Sequence, residues 1–448
     1  MIGLICFTLC IRLLVFIQSL DNQISYLAND TNSYNSTALA WLQTGSFSHS
    51  LDYLDIPETL RTPGYPFFLG IIYKVFGEGY RSVVLIQIFL SLLSIYLIYL
   101  IGTIIFNKKI GLFTALIFSL DPVSISMNYK ILSETLFLFF LILFILLGTL
   151  WLRNPMSKSI PFISGVLIAL VTLIRPITYF LSPFIMIGII IWYTTNNYSI
   201  RKWINQSILF MMPILIIVGG WQYRNFKYGD NSSLSQIGGL NMLYHRGASV
   251  LAESRSITIE NARAQLIGDI KEDPWSYAGR YPEKNINKKW QDIGISIMIN
   301  HPFLTIKMVC KGIFFTLFGP GDGYLSDILG YNIESGNGPL GDLFDLDVKS
   351  YIKKWPVNNF FYFSIFIFSC TFLLVLYSGV LAWIYKQSTS MELSWYDGFL
   401  WGILLYFLFI SAGSEAYFRF RQPMIPILSI YSTLGWESII THYNYLKD

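Results

Sequence analysis

Charged residues are scarce in this 448-residue chain, in which only 13% of the residues are Asp, Glu, Lys or Arg. Soluble globular proteins carry roughly 25% charged residues. This shortage, together with a hydrophobic fraction of 54%, excludes an ordinary soluble domain and indicates a polytopic membrane protein. The net charge of +4 is too small and too widely spread to favour nucleic-acid binding.

Cysteine and histidine are rare as well, with 4 residues of each type. The cysteines lie inside apolar stretches and fit buried small side chains better than a disulfide framework. The histidines are scattered along the chain, so the sequence predicts no His/Cys metal site. A divalent metal is left open but has no support, and the lack of a nucleotide-binding motif gives no reason to expect a cofactor.

Long apolar stretches, in contrast, are abundant. A membrane-spanning helix needs about 20 predominantly apolar residues. The stretch 301–320 is also apolar, but Lys307 and Lys311 lie in its middle, which favours an amphipathic helix in the membrane interface over an eleventh span. We therefore expect an all-α polytopic membrane protein with about 10–11 transmembrane helices. The ten predicted spans are 2–20, 82–106, 110–127, 132–152, 160–177, 180–195, 205–222, 357–384, 394–412 and 423–440.

The distribution of lysine and arginine sets the expected orientation, because basic residues concentrate on the cytoplasmic side of membrane proteins. An eleventh span would move Lys386 outside and would bring Lys353 and Lys354 inside. Ten spans with both termini cytoplasmic is therefore the better prediction. With ten spans, one side holds Lys108, Lys109, Arg153, Lys158, Arg201, Lys202, Lys386 and Lys447.

This topology divides the chain into three regions. An N-terminal transmembrane module covers residues 1–222 and contains a first outer loop at 21–81. A mixed segment at 223–355 follows on the same outer face. Residues 356–448 complete the protein with C-terminal transmembrane helices.

Two short helices are predicted in the first outer loop, at 33–44 and Tyr65–Phe76. Both are too short to span, so we expect them to lie along the membrane surface. Asp30, just before the first of them, could act as a general base on an acceptor hydroxyl or amine. The alternatives are a solvated loop acid or the N-cap of the helix. Three further loop acids are expected to be solvated: Asp52, Asp55 and Glu58.

Arg61 precedes a Pro63-Gly64-Tyr65-Pro66 turn. Proline fixes φ and glycine permits conformations that other residues avoid, so the turn would orient the arginine and start the next helix. A planar guanidinium suits phosphate because it can donate two hydrogen bonds at once. The alternative is an interfacial arginine that contacts lipid head groups.

Lys130 and Glu134 lie four residues apart at the outer end of a predicted span, a spacing that places both on one helical face. Ionisable groups in apolar helices are usually functional, because burying them unpaired is expensive. Glu134 could orient Lys130 or help to hold an acceptor or a metal; the alternative is a structural ion pair. Arg12, in the middle of the first span, receives no assignment from the sequence.

Four more arginines lie on the predicted outer side, against the positive-inside trend. Binding of an anionic lipid phosphate would explain why these cations lie on that side. Together with Arg61 and Lys130 they favour a phosphate site. The four are Arg175, Arg224, Arg419 and Arg421.

In their order along the chain these motifs resemble the GT-C glycosyltransferases, specifically the bacterial branch related to protein O-mannosyltransferases (family 39-like) and the lipid A aminoarabinose transferase. The resemblance runs from about residue 1 to 435. The motifs that carry it are Asp30-x-x-x-Tyr34, Arg61-Thr62-Pro63-Gly64-Tyr65-Pro66, Ser133-Glu134, Arg175-Pro176, Trp221-x-x-Arg224-Asn225 and Arg419-x-Arg421-x-Pro423.

The resemblance implies a multi-pass protein of the inner (plasma) membrane with a periplasmic active site. It also implies a polyprenyl-phosphate sugar donor, an acceptor deprotonated by Asp30, and inversion at the sugar carbon. The acceptor, a lipid, a glycan or a protein, is not identified. The implied ligands of the sugar donor's phosphate are Arg61, Lys130, Arg175, Arg224, Arg419 and Arg421, and the implied shaping residues are Tyr34, Tyr65 and Glu134.

The chain departs from the eukaryotic protein mannosyltransferases in one motif, since its first loop lacks their adjacent Asp-Glu pair. The sequence also shows no large soluble C-terminal domain after the last arginine-containing loop. Both features argue against protein mannosylation and leave acceptor recognition to the segment 223–355.

Two other functions remain open. A flippase or transporter of lipid-linked sugars would favour broken helices in two related halves, and no such repeat is visible. A polysaccharide polymerase or ligase would use a diphosphate-linked glycan instead of a monophosphate-linked sugar.

Overall fold

The computed structural model describes residues 1–229, 232–270, 286–331, 360–390 and 393–445. Within these ranges the protein contains no β-strand, and its β pairing is an isolated bridge between Ser48 and Pro57. The predicted all-α fold class is confirmed. Parts of the segment 223–355 lie outside the described residues, and so do Lys353, Lys354 and Lys447 of the orientation argument.

The described residues are almost entirely helical. Short 3-10 helices lie at Gln23–Tyr26, Leu51–Tyr53, Pro176–Thr178 and Phe418–Met424, and a π-helix lies at Asn241–Gly247. The α-helices are α1 (Ile2–Ser19), α2 (Thr31–Thr44), α3 (Gly64–Phe76), α4 (Tyr80–Ile105), α5 (Lys108–Ser119), α6 (Pro122–Met127), α7 (Glu134–Arg153), α8 (Ser159–Ile174), α9 (Leu181–Thr195), α10 (Ile200–Gly229), α11 (Ile237–Leu240), α12 (Ala248–Arg255), α13 (Ile259–Ile270), α14 (Ile286–Asn300), α15 (Pro302–Phe318), α16 (Asp322–Ile328), α17 (Phe360–Ser390), α18 (Trp395–Ile410) and α19 (Ile425–Tyr445).

Six helical segments of the described chain are long and apolar enough to cross a membrane, and the pair α14–α15 would make a seventh if it formed one bent span. The six are α1, α4, α7, α9 with the 3-10 turn before it, α10 and α17.

The predicted spans 160–177 and 394–412 are the shorter apolar helices α8 and α18, of 16 residues each. Such helices are about 24 Å long, less than a hydrocarbon core of roughly 30 Å. The predicted span 423–440 corresponds to α19, which is not among the six. The protein is multi-pass, but ten spans are not reached by these criteria.

The predicted span 110–127 was wrong as a single helix. The chain breaks there between α5 and α6, at Leu120 and Asp121. The Asp121 carboxylate accepts a hydrogen bond from the backbone N–H of Ser124 at 2.8 Å and so caps α6. Pro122 has no N–H with which to continue the helical ladder. The cap by Asp121 and the missing N–H of Pro122 therefore break the helix, even though the stretch is apolar enough to continue it.

The predicted amphipathic helix at 301–320 is α15, which meets α14 at an angle of 105°. Phe303 and Ile306 are exposed apolar residues on it, and Lys307 pairs with Glu253. Its placement in the membrane interface stays a prediction.

Arg12, which the sequence left unassigned, has a structural role. Its side chain is 1% exposed in α1. Its guanidinium donates to the Ser91 hydroxyl at 3.1 Å and to the Ser119 carbonyl at 3.4 Å, residues of α4 and α5. The buried charge is thus hydrogen-bonded, as buried charges must be, and it ties three helices together.

Two hydrophobic cores organise the described part of the chain. The main core fills the helix bundle, and a smaller one is built around Trp290, which is fully buried. We call the residues around the second core, 235–266 and 286–300, the small lobe. Leu60 of the first loop inserts into the core of the small lobe, so the loop and the lobe are packed together.

The two predicted helices of the first outer loop are present as α2 and α3. The αL conformation of Gly45 ends α2, a position that favours glycine. The two helices pack so closely that a Cβ at Gly70 of α3 would clash with the Trp41 ring of α2. This packing brings the N-terminus of α2 and that of α3, and with them Asp30 and Arg61, to one place.

Candidate active site

Asp30 occupies the N-cap position of α2, but its side chain makes no capping hydrogen bond. Its carboxylate instead accepts from Arg61 Nη2 at 2.7 Å and from Arg419 Nη2 at 3.5 Å. The backbone beside it is held by Thr31, whose hydroxyl accepts from Ala28 N–H and donates to the Ile131 carbonyl. The carboxylate is therefore available for chemistry and does not serve the helix end.

Arg61 is held by the residues that precede it. The Glu58 carboxylate accepts from the backbone N–H groups of Leu60 and Arg61 at 2.5 and 2.8 Å. The Arg61 side chain then donates to the Ser33 hydroxyl at 2.9 Å and lies over the Tyr34 ring at 4.8 Å. Glu58 is only 1% exposed, so the prediction that it is a solvated loop acid was wrong: two amide donors and a neighbouring histidine stabilise it when buried.

A second carboxylate, that of Glu134 at the start of α7, lies in the same place. It is 4% exposed and pairs with Arg175 at 2.6 Å. Arg419 Nη1 lies 3.7 Å from the same oxygen. Arg419 thus contacts both Asp30 and Glu134, and the five side chains form one ion network: Arg61, Asp30, Arg419, Glu134 and Arg175. Three cations against two anions leave one positive charge in excess.

Lys130 does not share a helical face with Glu134, and that prediction was wrong. α7 begins at Glu134, and Lys130 lies in the loop before it. Lys130 Nζ instead contacts Asp327 at 2.7 Å and the Ser25 carbonyl. Residues 128–133, between α6 and α7, are not helical, and within them the Ile131 N–H donates to the Tyr26 carbonyl of the first loop at 2.9 Å.

Arg224 and Arg421 lie apart from the ion network. Arg224 donates to the carbonyls of Glu58 and Phe47 at 2.5 and 2.6 Å and stacks on Trp221. Arg421 is fully buried, and its Nη1 donates to three carbonyls at the end of α15, those of Thr316, Leu317 and Gly319. Within the described part of the chain neither contacts Asp30 or Glu134. Both hold backbone in place.

Tyr34 and Tyr65 form a wall beside Arg61. Their rings meet edge to face at 5.0 Å, an arrangement that aromatic pairs prefer. The Tyr65 hydroxyl donates to Gln87 Oε1 at 3.1 Å, which satisfies its buried polar end. Both residues lie beside Arg61, and the shaping role expected for them stays a prediction.

Sequence reasoning missed several polar residues around this network. Asp327 pairs with Lys130, and Glu415 pairs with Arg246 at 2.8 Å. His245 and Arg246 lie on the π-helix, a rare element that is frequent at functional sites. Burial lowers the pKa of His245, and the charges of Glu415 and Asp30 act on the same ring. For His245 and Arg246 the π-helix is the signal, but no sequence pattern predicts a π-helix.

The surroundings of Asp30 fix its charge. Burial would raise the pKa of its carboxyl, but the guanidinium groups of Arg61 and Arg419 outweigh burial and lower that pKa to about 2. Asp30 is therefore ionised at neutral pH. Among the residues that the structure describes, no group of three or more His, Cys, Asp or Glu side chains could hold a metal ion.

Part of the chain matches a known protein family. Residues 60–221 match the model of the dolichyl-phosphate-mannose-protein mannosyltransferases. This segment holds Arg61, Lys130, Glu134 and Arg175. None of the curated proteins matches the chain significantly.

Solved structures resemble the chain over nearly its whole length. The archaeal oligosaccharyltransferase AglB from Archaeoglobus fulgidus, in complex with an inhibitory peptide and a dolichol-phosphate, superposes with a TM-score of 0.53 at 11% identity, covering 99% of this chain and 51% of that one. The apo form of the A. fulgidus oligosaccharyltransferase gives 0.50 at 12% identity, with 98% and 52% covered. ArnT from Cupriavidus metallidurans bound to undecaprenyl phosphate gives 0.44 at 12% identity, with 97% and 78% covered.

The chain spans about half the length of the archaeal oligosaccharyltransferase structures that it matches. At these identities the likeness concerns the fold. The chain therefore has the fold of these oligosaccharyltransferase structures, the GT-C fold that its sequence motifs indicated, and its residues 60–221 are similar to the protein mannosyltransferases.

Proposed function

We propose that this protein is a membrane glycosyltransferase that takes a sugar from a polyprenyl-phosphate donor. The sugar passes to an acceptor on the extracytoplasmic side, with inversion and with Asp30 as the general base. The observation that carries the proposal is the ion network, in which Arg419 lies between the carboxylates of Asp30 and Glu134. The GT-C fold supports it, as does the dolichol-phosphate in the AglB complex.

Arg419 is the cation best placed to receive the phosphate of the sugar donor. Arg61 and Arg175 each make a close pair with one acid, at 2.7 and 2.6 Å, whereas Arg419 lies 3.5 and 3.7 Å from its acids. The Arg419 Nε is buried and has no hydrogen-bond partner within the described chain. An unpaired buried donor is costly, so an anion that accepts from it would be stabilised.

The reaction proposed is a single displacement. The acceptor oxygen bonds to the anomeric carbon as the bond from that carbon to the phosphate oxygen breaks on the opposite face. The acceptor proton passes to Asp30, and the polyprenyl phosphate leaves with the bonding electron pair. Cations already in place stabilise the negative charge that grows on the leaving phosphate.

Asp30 is a weak base while two guanidinium groups face it, since a pKa of about 2 gives little driving force for proton transfer. Binding of an anionic phosphate to Arg419 would cancel part of that positive charge. The pKa of Asp30 would then rise. On this account the base becomes stronger only when the sugar donor is bound.

The remaining predicted residues receive different roles. We assign Lys130, Arg224 and Arg421 to the framework, because each of them donates to backbone carbonyls and neither arginine contacts Asp30 or Glu134 within the described chain. Arg61 and Arg175 keep the two acids ionised beside the phosphate, and Glu134 orients Arg175 and Arg419.

The acceptor is proposed to enter between the ion network and the small lobe. The lobe is packed on the first loop through Leu60, and Asp30 acts electrostatically on His245 of the π-helix. These contacts support our assignment of the lobe to the acceptor side. The segment 223–355, to which the lobe belongs, would then recognise the acceptor, which is not identified.

The proposal is tested with the purified protein in lipid nanodiscs. A panel of radiolabelled polyprenyl-phosphate monosaccharides is supplied together with membrane extract as the source of acceptor. Release of polyprenyl phosphate with transfer of label to an acceptor supports the proposal. Movement of a lipid-linked sugar across vesicles without cleavage would indicate a flippase, and consumption of diphosphate-linked glycans alone would indicate a polymerase or ligase.

A further inference from the structure

We propose that Arg246 is a positioning residue that, through Glu415, fixes the loop carrying Arg419. The small lobe would thereby set the place of the central cation of the ion network. The inference rests on the proposed function for what Arg419 binds, but its structural part does not.

The contacts of Arg246 are specific. Its Nε and Nη2 both lie 2.8 Å from Glu415 Oε1, and Nη2 also donates to the Ile410 carbonyl at 2.9 Å. The two side chains are 16% and 14% exposed. A largely buried, multiply hydrogen-bonded pair is costly to break from one side, unlike an exposed one. Arg246 therefore joins the π-helix to both the end of α18 and the loop after it.

The loop that carries Glu415 is tightly packed on both sides. It runs from Ser411 to Tyr417, and Glu415 lies four residues before Arg419. A Cβ at Gly413 would clash with Glu415 and with Arg246 Nε. On the other side, a Cβ at Gly312 of α15 would clash with the Gly413 carbonyl.

Arg419 lies between two attachment points. Before it, Glu415 is bound by Arg246 of the small lobe. After it, Arg421 binds the carbonyls at the end of α15. Because both neighbours are held, the guanidinium of Arg419 is presented to Asp30 and Glu134.

The small lobe also contacts the backbone beside Arg61. The Gln236 N–H donates to the Thr59 carbonyl at 3.0 Å, and the Ser235 hydroxyl donates to the Leu60 carbonyl at 2.5 Å. The lobe thus contacts both segments that supply cations to Asp30. A displacement of the lobe would move both.

The experiment separates positioning from net charge. Arg246→Glu, Glu415→Arg and the exchanged double variant R246E/E415R are compared with the wild type, with Arg255→Glu at an exposed arginine of the small lobe as the charge control. The probe is undecaprenyl phosphate in nanodiscs, with its affinity measured by native mass spectrometry. If net charge alone mattered, Glu415→Arg would strengthen binding of this anion and Arg246→Glu would weaken it.

Positioning predicts that both single variants bind about tenfold more weakly, the scale of one lost hydrogen bond to a charged group, and that the exchanged pair recovers most of the affinity. Tighter binding by Glu415→Arg would overturn the proposal. Where that variant does not fold, Glu415→Gln takes its place and is expected to weaken binding in the same direction.

Hydrogen exchange of residues 411–424, measured without lipid, makes the test independent of function. Exchange should quicken in each single variant and return toward wild type in the exchanged pair. Unchanged exchange in the single variants would refute the positioning role. If wild-type protein fails to bind the lipid while exchange behaves as expected, the proposed function fails and the positioning role of Arg246 stands.

Discussion

Arg61 donates a 2.7 Å hydrogen bond to Asp30, a residue 31 positions earlier in the chain. The pair joins the two motifs of the first outer loop into one site. In the proposed reaction the pair also sets the strength of the base, because the guanidinium that keeps Asp30 ionised makes it a weak base until an anionic phosphate neutralises part of the positive charge.

Replacing the proposed base should stop transfer without removing the site. Asp30→Asn keeps the shape of the side chain but cannot take a proton at neutral pH. We expect transfer to fall by at least about 100-fold, in the range of lost general-base catalysis, with affinity for undecaprenyl phosphate retained or increased. Asp52→Asn, the same change at an exposed acid of the same loop, is the control. Turnover by Asp30→Asn close to that of the control would reject the assignment.

The ionisation of Asp30 should also appear in the stability of the protein. Its folded-state pKa of about 2 lies below the roughly 3.9 of an unfolded aspartate. The ionised carboxylate therefore stabilises the fold above about pH 4, and this contribution is lost as the pH falls toward 2. The difference in thermal midpoint between wild type and Asp30→Asn should be constant from pH 6 to 5 and should shrink below pH 4. A difference that grows with acidity would contradict this sign.

Two arginines separated by one residue should behave differently. Arg419→Gln removes the arginine whose ion pairs are the longest in the network. We therefore expect a large loss of affinity for undecaprenyl phosphate and a small change in thermal midpoint. Arg421→Gln leaves buried carbonyls of α15 without their charged donor, at a cost of about 3 kcal/mol. Its main effect should be a lowered thermal midpoint in a thermal-shift assay. The reverse pattern would exchange the roles assigned to the two residues.

Glu58 should hold Arg61 in position, because its carboxylate accepts hydrogen bonds from the backbone N–H groups of Leu60 and Arg61. Glu58→Ala leaves the buried N–H groups of Leu60 and Arg61 without an acceptor, which costs about 1–3 kcal/mol each. We expect a lower thermal midpoint together with reduced transfer, since Arg61 loses its orientation. Asp55→Ala, at an exposed acid three residues earlier, serves as the comparison and should change neither property. Equal behaviour of the two variants would show that Glu58 does not position Arg61.

The sequence predicted the local features of this fold well. The two short helices of the first loop and the apolar helices α1, α4, α7 and α10 follow from periodicity and length alone. The prediction of a single span at 110–127 was wrong because Asp121 and Pro122 break the helix, although the hydropathy of the stretch favoured a continuous one. A sequence shows which residues can cap a helix, but it does not show whether such a cap will break a stretch that is apolar enough to span the membrane.

The candidate site was predictable as a set of residues, not as a set of pairs. Asp30, Arg61, Glu134, Arg175 and Arg419 were all identified, yet the contact between Arg419 and Asp30 joins positions 389 residues apart. Such pairing depends on tertiary packing that no local spacing encodes. For the same reason the carbonyl partners of the other arginines, and the burial of an acid in a polar loop, emerged only from the fold.

The most direct measurement is an experimental density map of the protein with undecaprenyl phosphate bound in nanodiscs. The account predicts the lipid phosphate within hydrogen-bond distance of Arg419, on the side facing Asp30 and Glu134, with the prenyl chain leaving toward the bilayer. A phosphate bound away from the ion network, with the contacts of Arg419 to both acids unchanged, would contradict it.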